Sequence, residues 1–235
     1  MQSSLALLFL LVIVAAVLPT ARSRRARRRQ LAALALRCGW TYSAGDPWDL
    51  PASIDGLWLG AWGHDRRCRD VFSVPSLTGS LWLAVFRRQM ASGRHRRSEC
   101  FALAVARLRA IHGGIAILPQ GQVFVPADPF ARYRPVAALE GVDLSGRQVW
   151  AERPAGERHI LTLLAQMMSS LPPDAGLEVR GPVAAVYWPL PRPESAQEFL
   201  NLHAAGRRLL DLLGASPDAT RADPKISSQA SRESP

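Results

Sequence analysis

The stretch GHDRRCRD, residues 63–70, is the densest group of side chains able to do chemistry. His64 with Asp65 or Asp70 offers the imidazole and carboxylate ligands that suit a transition metal. Cys68 stands among arginines, and nearby cations lower a thiol pKa while a histidine can take its proton. A hydrolase-like enzyme would therefore use His64, Asp65 and Cys68. The same residues also read as a charged loop joining a helix to a strand. The remaining histidines, His95, His112, His159 and His203, are scattered, and no H-E-x-x-H, G-x-S-x-G or phosphate loop occurs. His112-Gly113-Gly114 reads as a glycine turn. Cys38, Cys68 and Cys100 are odd in number and form no C-x-x-C, so neither a disulfide framework nor a structural zinc site is expected. The expectation is a non-catalytic binding or assembly domain without metal or cofactor.

A second chemistry belongs to arginine. RRQMASGRHRR places Arg87, Arg88, Arg94, Arg96 and Arg97 around Gly93, between two apolar runs. A guanidinium fork suits phosphate, so these five form an anion-contact set for an arginine-lined anion or lipid-headgroup binder. The competing reading is a solvated hairpin whose charges blunt a sheet edge.

A third feature is RSRRARRRQ, carrying Arg22, Arg24, Arg25, Arg27, Arg28 and Arg29 directly behind the apolar run LALLFLLVIVAAVL. As a helix, residues 1–21 would be roughly 31 Å long, close to the roughly 30 Å of a bilayer core. A cleaved signal peptide competes, but only the α-amino charge precedes the run, and Pro19 would sit where cleavage wants a small residue. Arginines gather on the cytoplasmic side of a span. The expected topology is a single-pass membrane protein, N-terminus outside and the following domain cytoplasmic. Each arginine would attract anionic headgroups by roughly 1 kcal/mol. These six supply more than half of the net charge of +10, so the high pI describes one segment and not a nucleic-acid-binding surface. The expected partners are the lipid bilayer and a membrane protein, with no nucleic acid.

The elements that must position these groups follow from periodicity. Leu31, Leu34 and Ala35 fit a helix that Gly39 ends. DVFSV, SLWLAVF, CFALAVARL, GIAILP, QVFVP and RQVWAE read as strands. Ile160, Leu164, Met167 and Leu171 share one helical face. LEVRGPVAAVYWPL reads as two strands hinged at Gly181–Pro182. PESAQEFLNLHAAGRRLLDLLG reads as a helix with Phe199, Leu202, Leu209 and Leu213 buried. The chain after Gly214 is nearly devoid of apolar residues and reads as disordered. The expected fold is α+β: a mostly antiparallel sheet with C-terminal helices, preceded by a single N-terminal transmembrane helix. The expected layout is an anchor over 1–21, a basic juxtamembrane helix over 22–38, a cytoplasmic α+β domain over 39–214 and a tail over 215–235.

RRRQLAALALRCGWTY, GHDRRCRDV, LAVF, LEVRG and ESAQEFLNLHAAGRRLLDLL together resemble a family of uncharacterised bacterial membrane-anchored proteins with a cytoplasmic α+β domain of unknown function. The resemblance implies fold and membrane location, and it carries no catalytic residue. It also implies an Asp-Tyr pair after the strand matching LAVF, where this chain has Arg87–Arg88.

Overall fold

Successive residues of a strand face opposite sides of its sheet. Leu81, Leu83 and Val85 thus point one way, and Ala84, Phe86 and Arg88 the other. The computed structural model describes residues 22–92, 95–122, 124, 128–144, 146–190 and 195–214. Its elements run α1 (22–38), β1 (Thr41–Ser43), α2 (Leu50–Ser53), α3 (Trp58–Ala61), β2 (His64–Val74), β3 (Gly79–Ser92), β4 (His95–Pro119), β5 (Arg134–Pro135), β6 (Arg147–Ala151), α4 (Arg158–Met168), β7 (Gly176–Pro189) and α5 (Ala196–Gly214). The seven strands form one sheet in the order β1-β2-β3-β4-β6-β5, with β7 on the other edge of β4, and every pairing is antiparallel.

The period-two pattern gives the sheet two apolar faces. Leu81, Leu83, Val85, Ala102, Ala104, Ala106, Ala184 and Val186 form one, covered by α1 through Leu31 and Leu34, by α4 through Leu161 and Leu164, and by α5 through Phe199 and Leu209. Ala84, Phe86, Phe101, Leu103, Val105, Ala185 and Tyr187 form the other, covered by Leu50, Trp58, Leu59, Phe124, Phe130 and Tyr133. The alanine row on the first face lets α5 approach closely: a Cβ on Gly206 would meet Leu81 Cδ1 at 2.8 Å and Ala104 Cβ at 3.2 Å.

β4 and β7 do not run straight. Their ladder shifts register between Arg107 and His112 and again before Ile115, and Gly181 opposite takes a φ of +58°. A shifted register exchanges the faces. Odd positions Phe101, Leu103 and Val105 face the second layer before the shift, whereas even positions Ala116 and Leu118 face it afterwards.

The expected architecture is corrected at two points. No helix of the described residues is long and apolar enough to cross a membrane, so a transmembrane helix is not part of the described fold; the apolar run over residues 5–21 lies outside the described residues. The layout of a sheet with helices at its C-terminal end is also revised. The body is dominated by one seven-stranded antiparallel sheet, and α1, at the N-terminal side of the chain, packs on the same face as α4 and α5. The physical reason is that α1 is two-sided. Leu31, Leu34 and Ala35 are buried on one side, while Arg24, Arg25, Arg28 and Arg29 are exposed on the other.

Three segmentations also differ. CFALAVARL and GIAILP are one strand, β4, and LEVRGPVAAVYWPL is one strand, β7, bent at Gly181 instead of broken there. GHDRRCRD is not a loop but the first part of β2. Much of QVFVP, and the tail from residue 215, lie outside the described residues.

Candidate functional site

The bend in β7 brings two distant positions of the strand together. Glu178 and Tyr187 both reach the second face, and the Tyr187 hydroxyl donates to Glu178 Oε1 at 2.8 Å. Glu178 is only 2% exposed, yet it is fully partnered. The backbone N–H of Leu59 donates to Oε1 at 3.0 Å, and that of Trp58 donates to Oε2. Those two N–H groups open α3, where a helix has no carbonyl of its own to offer them. Two glycines make this closure sterically feasible. A Cβ on Gly60 would collide with the Ile54 carbonyl, and one on Gly176 with the Tyr187 ring.

Burial pushes the Glu178 carboxyl up to about 7, against the donated hydrogen bonds of Tyr187, Leu59 and Trp58 and the Arg88 charge, all of which pull it down. Burial likewise holds the Tyr187 phenol well above its ordinary value, with the Glu178 charge adding to the effect. Tyr187 therefore keeps its proton and stays a hydrogen-bond donor throughout the neutral range.

Arg88 lies on the same face, as its spacing from Phe86 requires. Its Nη1 donates to the Leu59 carbonyl at 2.7 Å, and its Nε and Nη2 both reach Glu99 Oε2 at 3.0 Å. The guanidinium also lies 5.2 Å from the Phe101 ring centroid and 5.8 Å from that of Trp58, within cation–π range. Arg88 thus ties β3 and β4 to α3.

Above this network opens a cavity of about 920 Å³. Trp58, Phe101, Tyr187, Met90 and Leu190 supply its apolar walls, the buried Arg88 and the half-buried Glu99 its polar floor, and Gly121 and Gln122 another side. Phe101 and Tyr187 meet edge to face at 5.8 Å and 90°, which fixes both rings. Arg87 and Arg97 also line the cavity and are exposed. Arg87 Nε donates to Ser98 Oγ at 2.7 Å, and Arg97 Nε lies 3.8 Å from Glu99 Oε1. A largely apolar cavity of this size with a few convergent polar groups is the form small-molecule sites take, at roughly 300–1,000 Å³.

The residues singled out in the sequence scatter around this site. Of the hairpin arginines, Arg87, Arg88 and Arg97 line the cavity; Arg96 is exposed elsewhere on β4, and Arg94 lies outside the described residues. His64 and Asp65 are exposed on β2, and Asp65 is occupied by Arg67 at 2.7 Å and by Gln89 Nε2 at 3.0 Å. Cys68 points into the second-face core, where burial raises its thiol pKa far above the ordinary range. That thiol stays protonated, so the three do not assemble a nucleophile and base. Among the described residues no three of His, Cys, Asp or Glu stand close enough together to hold a metal ion.

Among the basic-helix arginines, Arg27 differs from the others. Its Nη2 donates to Asp70 Oδ2 at 2.8 Å, and Tyr42 Oη donates to the other carboxylate oxygen at 2.8 Å. Asp70 is buried and takes a φ of +50°. Arg22, Arg24, Arg25, Arg28 and Arg29 are exposed.

Sequence reasoning missed Glu178, Tyr187 and Trp58 as one unit. Glu178 sits between Leu177 and Val179, where alternation places it on a wet face. The one available signal was Gly181–Pro182, which marks the bend but not the pairing it brings about.

No family model matches the chain, and no curated protein matches it in sequence. Among solved structures it is similar to the crystal structure of the mycobacterial trehalose monomycolate transport factor A, TtfA, at a TM-score of 0.54 and 13% identity, over 80% of this chain and 95% of that one. At that identity the likeness shows a shared α+β fold.

Proposed function

We propose that this chain is a non-catalytic accessory domain that works at a membrane surface and holds an apolar group in the cavity walled by Trp58, Phe101 and Tyr187. The observation that carries the reading is the cavity of about 920 Å³, whose walls are largely aromatic and whose inner polar groups, Arg88, Glu99 and Tyr187, are held in hydrogen bonds and ion pairs with protein partners. The exposed arginines of α1 support the membrane location, because anionic headgroups attract such a row. The resemblance to bacterial membrane-anchored proteins agrees with it. The fold shared with a transport factor is consistent with an accessory role.

Native mass spectrometry of the full chain, released gently from its host membranes, tests this. The protein should carry a non-covalent adduct whose mass is unchanged after prolonged incubation. Gly121→Trp should lose the adduct: Gly121 lines the cavity, and a Cβ there meets nothing within 4 Å, so the indole can fill the space without disturbing the backbone. Chemical conversion of the adduct on incubation, or full retention by Gly121→Trp, would overturn the proposal.

A further inference from the structure

The same cavity has a polarity that narrows its ligand. Its deep wall is aromatic, and the charges around it are unequal. Arg87, Arg88 and Arg97 line it against two carboxylates, the exposed Asp174 and Glu99, and Glu99 is shared between Arg88 at 3.0 Å and Arg97 at 3.8 Å. Arg88 is consumed by Glu99, the Leu59 carbonyl and the two rings. That leaves Arg87, whose contact is the neutral Ser98 hydroxyl, and Arg97, whose side chain is 82% exposed, with donors to spare. Two partly unengaged guanidinium groups therefore border an apolar hole: Arg97 on the cavity's own face of the sheet, and Arg87, which leaves the opposite face of β3, at the rim beside Ser98. Their natural complement is a molecule with an apolar chain and one acidic end.

We propose that the cavity binds a single-chain lipid with an anionic oxygen head, the chain lying among Trp58, Phe101 and Tyr187 and the head held by Arg87 and Arg97. This rests on the cavity being the binding site. The edge-to-face contact of Phe101 with Tyr187 and the hydrogen bond of Tyr187 to Glu178 hold an aromatic wall in place for the chain to lie against. The head is held by charge-assisted hydrogen bonds at an exposed site, so the attraction weakens with added salt.

Isothermal titration calorimetry of the full chain with laurate, kept below its micelle concentration, is the test. Lauryl alcohol, inorganic phosphate and lauryl phosphate serve as comparisons. Laurate and lauryl phosphate should each bind once per chain. The alcohol should bind about tenfold more weakly, and inorganic phosphate should not bind measurably. The Arg87→Ser/Arg97→Ser double variant should lose about tenfold for laurate and nothing for the alcohol, while Gly121→Trp should lose both. Equal binding of laurate and alcohol would overturn the role of the arginines. Unchanged laurate binding in Gly121→Trp would place the ligand elsewhere. If laurate fails altogether while the native adduct is still lost in Gly121→Trp, the cavity reading stands and this ligand class is wrong.

Discussion

Tyr187 and Glu178 belong to one strand and are nine positions apart, yet the phenol and the carboxylate are 2.8 Å from each other. A straight strand would separate them by roughly 30 Å at about 3.3 Å per residue. The contact therefore reports the bend at Gly181 and the register shift opposite it, and it closes the wall of the cavity. Tyr187→Phe leaves a buried carboxylate short of one donor and should cost about 1–3 kcal/mol by urea unfolding. A loss near zero would mean that the bend is held by other contacts.

Glu178 also gives the protein a pH dependence of definite sign. Its folded value is raised from 4.5 to about 7, so between those values the folded chain keeps a proton that the unfolded chain has released. The stability this contributes is present in full below about 4.5 and is lost as the pH rises toward 7. Glu178→Gln cannot titrate. The unfolding free energy of the wild type, minus that of Glu178→Gln, should therefore fall between pH 5 and pH 7.5. A difference that stays level would show that the carboxylate is already ionised in the fold at pH 5.

The basic helix should behave as one structural arginine among surface ones. Arg27→Ala leaves the buried Asp70 with Tyr42 but without its 2.8 Å guanidinium partner and should cost about 1.5–3 kcal/mol, the range for a hydrogen bond to a charged group. Arg24→Ala and Arg28→Ala should change stability by less than about 0.5 kcal/mol. Thermal unfolding of the three variants side by side decides this. Equal effects would mean that Arg27 does not anchor α1 to β2.

The α5 interface is the strongest packing test. Leu209 is fully buried, so Leu209→Ala should cost about 2–5 kcal/mol. Gly206→Val must push β-branched bulk against Leu81 and Ala104 and should cost about 1–3 kcal/mol. Wild-type stability in either variant would show that α5 rides loosely on the sheet.

Alkylation should rank the thiols. Cys38 is exposed and should react first; Cys68 is buried, with its thiolate disfavoured, and should react only on unfolding. Cys100 lines the cavity and should react at an intermediate rate that slows when the cavity is filled. Peptide mass mapping reads all three. A Cys100 rate indifferent to an occupant would argue against the site.

Much of the body was legible because apolar periodicity reports burial directly. Phe199, Leu202, Leu209 and Leu213 are buried as their helical spacing requires, and Asn201 and Arg208 are exposed. Arg88 could have been placed as well, since period two puts it on the face of Ala84 and Phe86. What misled was glycine. Gly113 and Gly114 read as a turn, but they lie inside β4, where a Cβ would strike Glu157 and the Tyr133 ring; their role is close approach. Glu178 was hidden for a different reason. A register shift in the ladder puts it on the face of Tyr187, opposite to the face that parity with Ala184 and Val186 would give, and such a shift is a property of two strands, which no local pattern in one of them records.

The most direct measurement sets this cavity against a second, smaller one. The second, about 380 Å³, lies between α4 and α5 and is lined by Trp188, Leu171 and Ala204. Ala204 is exposed on α5, so Ala204→Trp fills that groove as Gly121→Trp fills the larger cavity. Native mass spectrometry of both variants, purified alongside the wild type, should find the retained molecule absent from Gly121→Trp and undiminished in Ala204→Trp. The reverse pattern, with retention in Gly121→Trp and loss in Ala204→Trp, would contradict the assignment of the site.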